Sequence, residues 1–326
     1  MTKRVVDLGR QRPLLDIASY GRAGPRHITR LELEHIERTV RRTPEVLVKV
    51  SGGARTLAGV ERNLRYIGRY GRLALEPDSG VRVGGKGIES ELIKDWNLGL
   101  EARARRTQRS IRAARKPPKL VHNLIFSMPA GTPPGLVLKA VRKLARDQFG
   151  STYRYGLVLH TDEPHPHVHV VVKAVGEHGN RLNIRKATLR DWRRDFAANL
   201  RELGVAANAT ERAVRGNSKS PMPDGIYRAN QRGDFWRTQR RADLRGHPDA
   251  AAVSAAKTLL HTRAEVVKGW QALRKHFTNV GCDSLAERIE RFTREMPPVR
   301  TVADVNSDQS RSGQSPRRQH IIEKTR

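Results

Sequence analysis

Four of the twelve histidines in this chain stand in one short segment, and three of them have a spacing that suits a metal ion. The apolar run 155–159 predicts a strand leading into His160, and the run 168–175 predicts a second strand beginning beside His167. In a hairpin of these strands, His160 pairs with His167, and His169 shares their face because strand side chains alternate with a period of two. Three imidazoles would then converge on one cation at about 2.0–2.1 Å.

The connection between the two strands carries two further polar residues. His165 stands between two prolines, and we expect it to be structural or solvated. Asp162 has three open roles: it could orient an imidazole through the second ring nitrogen, act as a base, or cap the turn. The valines that alternate with the histidines, Val168 and Val170, are expected to point into a core.

A tyrosine on a basic helix face is the second feature with chemical potential. Residues 57–70 predict an amphipathic helix whose apolar stripe faces the core. Tyr66 lies away from that stripe, beside Arg62, Arg69 and, one turn further on, Tyr70. Surface tyrosines are also common without function. A tyrosine hydroxyl can nevertheless attack a phosphodiester when a cation polarises the phosphate, so metal, tyrosine and basic surface together indicate DNA strand transfer.

The charge of the chain points to a polyanionic partner. Its 63 Lys and Arg residues oppose 33 Asp and Glu residues, which gives a formal net charge of +30. Nucleic acid fits better than a membrane, because the sequence has neither a long apolar segment nor the apolar core of a signal peptide, and no membrane insertion is expected. The single cysteine, Cys282, excludes an intramolecular disulfide and suits a reducing cytoplasm.

The elements that must position these residues alternate between strands and helices. A strand is predicted at 45–50, a flexible turn at 51–53 precedes the tyrosine helix, and a clear strand follows at 120–128. An amphipathic helix is predicted at 189–203, after the histidine hairpin. This order argues for an α+β domain with a mixed or mainly antiparallel sheet.

Composition divides the chain into four predicted segments. They are a basic amino-terminal arm at 1–43, the α+β domain at 44–220, a basic helical region at 221–296 with helices at 226–245, 249–278 and 283–295, and a disordered basic tail at 297–326.

Three motifs resemble those of the relaxase, or mobilisation nuclease, family. The segments 48–57 and 63–71 resemble its first motif, which carries the catalytic tyrosine, and 126–132 resembles its middle strand. His160-x-Asp162 with Pro166-His167-x-His169 matches the family's metal motif residue for residue. The similarity continues through 183–186 and 209–216, and so covers residues 45–220.

The resemblance implies both a fold and an activity. The family belongs to the HUH endonucleases, which have a ferredoxin-like, five-stranded, mainly antiparallel sheet flanked by helices. It implies metal-dependent, site-specific nicking of one DNA strand at a transfer origin, with a covalent 5′-phosphotyrosyl intermediate. Tyr66 maps to the nucleophile, and His160, His167 and His169 map to the metal ligands. Three imidazoles with an open position would by themselves suggest Zn²⁺, whereas the family implies Mg²⁺ or Mn²⁺.

The partners implied are those of conjugative DNA transfer or plasmid mobilisation. They are single-stranded DNA at a transfer origin, accessory origin-binding proteins and the coupling protein of a type IV secretion channel. Arg62, Arg69, Arg185 and Lys186 are the basic residues expected to contact DNA. The protein is expected in the bacterial cytoplasm, from which it would pass with the DNA into a recipient cell.

Three other functions remain open from the sequence. Tyr66 and Tyr70, four residues apart, resemble the paired tyrosines of some HUH replication initiators and transposases, although a tyrosine that precedes the histidines is the relaxase order. A non-catalytic DNA-binding protein would use the basic segments alone. A metallohydrolase acting on small substrates would need neither Tyr66 nor so large a positive charge.

Overall fold

The computed structural model describes residues 17–24, 28–81, 83–85, 87–100, 117–217 and 250–299. The chain divides into two units, one formed by Arg42–Ala209 and the other by Met1–Arg41 together with Thr210–Arg326. Among the described residues, no helix combines the length and apolar character that crossing a membrane requires. The predicted helix at 226–245, the predicted tail beyond residue 299 and most of the basic stretch after residue 102 lie outside the described residues.

A five-stranded antiparallel sheet forms the centre of the Arg42–Ala209 unit, in the strand order β1-β3-β5-β4-β2. The α+β class and the five-stranded, mainly antiparallel sheet expected from the sequence are therefore confirmed. The strands are β1 Leu47–Ala54, β2 Glu76–Pro77, β3 Val121–Ser127, β4 Tyr155–His160 and β5 His167–Lys173.

Helices cover both faces of this sheet. In chain order, the helices of the whole molecule used below are α1 Ile17–Ala23, α2 Arg30–Val40, α3 Leu57–Ile67, α4 Ile88–Asp95, α5 Pro134–Phe149, α6 Lys186–Glu202, α7 Ala250–Asn279 and α8 Asp283–Arg294. On one sheet face, α5 and α6 share a core with Phe126 and Val170. On the opposite face, α3 and α4 share a core with Val158 and Val171.

The alternation of β5 assigns its side chains to these two faces. Val168, Val170 and Val172 are completely buried in the α5/α6 core, as the sequence predicts. His167 and His169 therefore face the side of α3. The histidine hairpin is thus held by apolar burial on one face while its polar side chains are gathered on the other.

Strand β1 is longer than predicted, because the expected turn at 51–53 continues the strand to Ala54. The register with β3 shifts between Val50 and Gly52, which accommodates the polar, glycine-rich stretch as a bulge. Gly53 has a φ of 141°, and a Cβ there would lie 2.3 Å from the carbonyl oxygen of Val121. Only glycine allows the two strands to pair so closely at this point.

Helix α3 is shorter than predicted, and this changes the relation between the two tyrosines. Thr56 caps its amino terminus, and the helix ends at Ile67, with Gly68 as the carboxy-terminal cap. Arg69 and Tyr70 then adopt left-handed backbone conformations, with φ values of 50° and 59°. The prediction that Tyr66 and Tyr70 share one helix face is therefore wrong, because the chain leaves the helix before Tyr70.

The second unit joins segments from the two ends of the chain. Helices α1, α2, α7 and α8 share a core that includes Ile17, Ile36 and Trp270. Helix α1 lies so close to α7 that a Cβ on Gly269 would be 1.9 Å from the carbonyl oxygen of Ile17. This differs from the sequence expectation of a separate arm at 1–43 and a separate helical region at 221–296. The sequence did not predict this shared core, because the amino-terminal segment is basic and has few apolar residues. Helices α1 and α2 bury those residues against the carboxy-terminal helices.

Candidate active site

The histidine hairpin forms a compact cluster of three imidazoles. His160 on β4 pairs directly with His167 on β5, as the sequence predicts, and His169 follows two residues later on the same face. One ligating nitrogen from each ring lies within 4.8 Å of the others, and all three residues are buried. The ring centroids of His160 and His169 are 4.4 Å apart. A single cation can therefore contact all three side chains.

In His160 and His167, one ring nitrogen makes a hydrogen bond, and the other ring nitrogen is available for that cation. His160 Nε2 donates to the carbonyl oxygen of Ile67 at 2.6 Å, and His167 Nδ1 donates to that of His165 at 3.0 Å. The buried Nδ1 of His160 has no hydrogen-bond partner among the described residues. Metal-binding histidines are commonly oriented by a second-nitrogen bond to a carbonyl group. The cluster therefore fits a metal ion.

The cluster also favours neutral imidazoles. Burial lowers the pKa of His169 to about 3, and the positive charges of His160, His167, Arg69 and Lys49 act in the same direction. Burial also lowers the pKa of His160, although its hydrogen bond to the Ile67 carbonyl opposes the shift. Both rings are consequently unprotonated near neutral pH, which is the form that coordinates metals.

Helix α3 brings Tyr66 to this cluster. The bond between the Ile67 carbonyl and His160 joins the carboxy-terminal end of the helix to the histidine hairpin, one residue after Tyr66. The Tyr66 side chain is 47% exposed, so its hydroxyl can be reached by a large substrate. The Arg69 guanidinium carbon lies 5.3 Å from the centre of the Tyr66 ring, in cation–π contact.

Arg69 is also paired with Asp162, a contact that the sequence analysis missed. The Arg69 Nη2 atom lies 2.5 Å from Asp162 Oδ2, while Asp162 Oδ1 is 3.8 Å from His160 Nδ1, beyond hydrogen-bond distance. Partial burial acts to raise the pKa of Asp162, but the hydrogen bond and charge of Arg69 outweigh it and lower that pKa. The two residues are 93 positions apart, and no local sequence pattern signals such a pair.

The other predicted site residues lie at different places. Arg62 is exposed on α3, the helix that also carries Tyr66. Arg185 and Lys186 are exposed at the start of α6, which packs on the sheet face opposite the histidines. Tyr70 is 73% exposed and follows the end of α3. The structure thus gathers Tyr66, Arg69, Asp162 and the three histidines, whereas Arg185 and Lys186 belong to another surface.

Comparison with known proteins gives one family. Residues 84–204 match the relaxase family described as MobA/VirD2-like, nuclease domain. That stretch includes the histidine hairpin and begins after α3. No solved structure matches this chain.

Curated relatives carry the name VirD2, which also occurs in the description of this family. The T-DNA border endonuclease VirD2 of Rhizobium radiobacter is 28% identical over 200 residues, which are 58% of this chain and 47% of the relative. The protein of the same name from Agrobacterium fabrum (strain C58) is 29% identical over 211 residues, covering 58% of this chain and 44% of the relative. The match thus spans less than half the length of these relatives.

Proposed function

We propose that this chain, which belongs to the relaxase family through its MobA/VirD2-like nuclease domain, nicks one strand of DNA with Tyr66 as the nucleophile. One observation carries the proposal: a cluster of three buried histidines, ready to bind a metal, is hydrogen-bonded to the helix end that presents an exposed tyrosine. The relatives named as border endonucleases support DNA as the substrate.

The chemistry proposed is a transesterification. The Tyr66 hydroxyl oxygen attacks the scissile phosphorus and forms a 5′-phosphotyrosyl bond, while the bond to the 3′ oxygen breaks and releases a 3′-hydroxyl end. The phenolic proton passes from Tyr66 to water during the attack, and the departing 3′ oxygen takes up one proton from water, so that the step has no net change in protons. A divalent ion held by His160, His167 and His169 would stabilise charge on the phosphate as a Lewis acid. Mg²⁺ and Mn²⁺ are the proposed ions, and three imidazoles also suit Zn²⁺.

Arg69 and Asp162 are proposed to position the nucleophile. Arg69 contacts the Tyr66 ring, and Asp162 holds Arg69 from the histidine hairpin, so the pair joins the tyrosine to the metal cluster. Of the roles open to Asp162, that of a base is the least favoured, because its lowered pKa makes it a weak proton acceptor.

Removing either member of this pair is expected to slow adduct formation to a similar extent. Asp162→Asn and Arg69→Gln should each cost roughly tenfold in rate at saturating DNA, about 1.4 kcal/mol, and the double variant should be no slower than the slower single variant. Single-turnover adduct formation measures this. Arg62→Gln, the same substitution at an exposed arginine of α3, should weaken DNA binding without slowing the step. Losses that multiply in the double variant would mean that Asp162 acts independently of Arg69.

Binding is proposed to involve single-stranded DNA at a transfer origin, with Arg62, Arg185 and Lys186 among the phosphate contacts. The net charge of +30 supports this partner. Accessory origin-binding proteins and the coupling protein of a type IV secretion channel are proposed as further partners. A bacterial cytoplasmic location, followed by transfer with the DNA to a recipient cell, is part of the same proposal.

The affinity for single-stranded DNA is expected to fall steeply with salt. Each Lys or Arg that neutralises a phosphate releases condensed counterions, which gives a slope of about −0.7 per contact in a plot of log affinity against log salt. Fluorescence anisotropy over a salt series measures that slope. A flat plot would mean that the positive charge of the chain does not contribute to DNA binding, and it would favour an enzyme acting on small substrates.

A further inference from the structure

Helices of the described part of the chain cover only part of the sheet face beside the histidines. Its open part, called the β1–β3 strip below, is defined by alternate residues of two neighbouring strands. These residues are Leu47 and Lys49 of β1, before the bulge, and Asn123, Ile125 and Ser127 of β3. Their intervening neighbours, including Val48, Leu124 and Phe126, are buried in the α5/α6 core, so the strip lies on the opposite face.

Exposure shows where the helical cover ends. Among the described residues, the core beneath α3 and α4 includes Ala54 of β1 and Val121 of β3, which pair at the end of these two strands farthest from Leu47. Leu47 is 47% exposed although it lies within a strand. Lys49 is exposed as well, and the three β3 residues of the strip are half-buried.

The strip directly adjoins the metal ligands. Across the sheet, Lys49 pairs with Ile125, and Ile125 pairs with His169. Two residues further along the strands, Leu47 pairs with Ser127, and Ser127 pairs with His167. Neighbouring strands lie about 4.8 Å apart, so the strip extends from one strand spacing to about 10 Å from the histidine strand. A polymer whose phosphate is held at the histidines can therefore place its neighbouring nucleotides on the strip.

The side chains of the strip suit a single nucleic-acid strand. Lys49 is cationic, and neither β1 nor β3 contains a carboxylate. Leu47 and Ile125 offer apolar surface to the face of an unstacked base, and contacts of this kind tolerate different bases.

We propose that the nucleotides next to the scissile phosphate lie on the β1–β3 strip, with Lys49 at a backbone phosphate and Leu47 and Ile125 against a base. This inference rests on the proposed function, because it takes the histidine cluster as the position of the reacting phosphate. It adds a specific binding surface, formed by two strands that carry none of the reacting groups.

Photocrosslinking tests the position of the strand. The probe is oligothymidylate carrying a diazirine-substituted deoxyuridine, whose photogenerated carbene inserts into the bonds of any adjacent side chain; it is irradiated with the full-length protein and mapped by peptide mass spectrometry. Crosslinks at residues 47–49 or 123–127 are expected. Crosslinks confined to other parts of the chain would overturn the proposal.

A negative charge introduced on the strip gives the second readout. Lys49→Glu and Leu47→Glu should each weaken binding of oligothymidylate at least tenfold more than Lys139→Glu, a matched change at an exposed position of α5 on the other face of the sheet. Because Leu47 and Lys49 are exposed, thermal unfolding should be little changed. If Lys49→Glu and Lys139→Glu weakened binding equally, Lys49 would contribute only to the overall positive charge, and the proposal would be contradicted.

The outcomes separate this inference from the proposed nicking activity. Crosslinks on the strip without any tyrosine adduct would leave the binding surface standing and contradict the nicking. A Tyr66 adduct with crosslinks only elsewhere would support the nicking and overturn the strip.

Discussion

Tyr66→Phe is expected to abolish the covalent protein–DNA adduct while leaving the affinity for single-stranded DNA unchanged. The variant removes only the attacking oxygen and keeps the ring that Arg69 contacts. Loss of an enzymatic nucleophile costs on the order of 10⁶-fold in rate, which places the adduct below detection. The measurement is adduct yield on a denaturing gel, beside binding measured by anisotropy.

Tyr70→Phe is the matched control and should keep full adduct formation. Tyr70 lies beyond the end of α3, and it is Ile67, next to Tyr66, whose carbonyl contacts His160. A full adduct from Tyr66→Phe together with none from Tyr70→Phe would reverse the assignment. In that case the left-handed segment after the helix, rather than the helix itself, would present the nucleophile.

Replacing His167 and His169 together by alanine is expected to abolish cleavage and to spare most DNA binding. Binding is spread over many phosphate contacts, whereas stabilisation of the phosphate by one metal ion supplies several kcal/mol of the reaction barrier. Chelation should reproduce the defect in the unaltered protein, and added Mn²⁺ or Mg²⁺ should reverse it. Cleavage and binding assays with and without chelator give the comparison.

His122→Ala serves as the control for the loss of a histidine from the same sheet. His122 lies on β3, where alternation places it on the face opposite the cluster, and burial with the nearby charges of Lys119 and Arg181 lowers its pKa to about 4. The His122→Ala variant should cleave DNA at the normal rate. Thermal unfolding of the variant checks that it is folded. If the His167/His169 double variant still cleaved fully in chelated buffer, the cluster would be structural and the mechanism wrong.

The histidine cluster could be predicted from sequence because its geometry is local. Two short strands joined by a proline-containing connection fix the pairing of His160 with His167, and the period of two fixes His169 and the buried valines. The positions of the adjoining apolar residues agree with the same register. Motif resemblance then supplied the chemistry that spacing alone left open between a zinc hydrolase and a relaxase.

The remainder depended on contacts between distant segments. Arg69 meets Asp162 because the chain turns left-handed after Gly68, and the sequence had indicated a helix continuing to residue 70. The core shared by α1, α2, α7 and α8 joins segments from the two ends of the chain. The periodicity of each helix predicts its apolar face but not the helix against which that face packs. Likewise, the exposure of Leu47 depends on where the helices stop covering the sheet.

The central claim, that Tyr66 forms the bond to DNA, can be tested by locating that bond directly. Trypsin cleaves after Arg65, Arg69 and Arg72, so Tyr66 and Tyr70 fall on separate peptides, residues 66–69 and 70–72. After nuclease trimming of the adduct, tandem mass spectrometry should find the residual nucleotide on peptide 66–69, attached to the tyrosine oxygen. A nucleotide on peptide 70–72, or nicked DNA with a free 5′-phosphate and no modified tyrosine, would contradict the account.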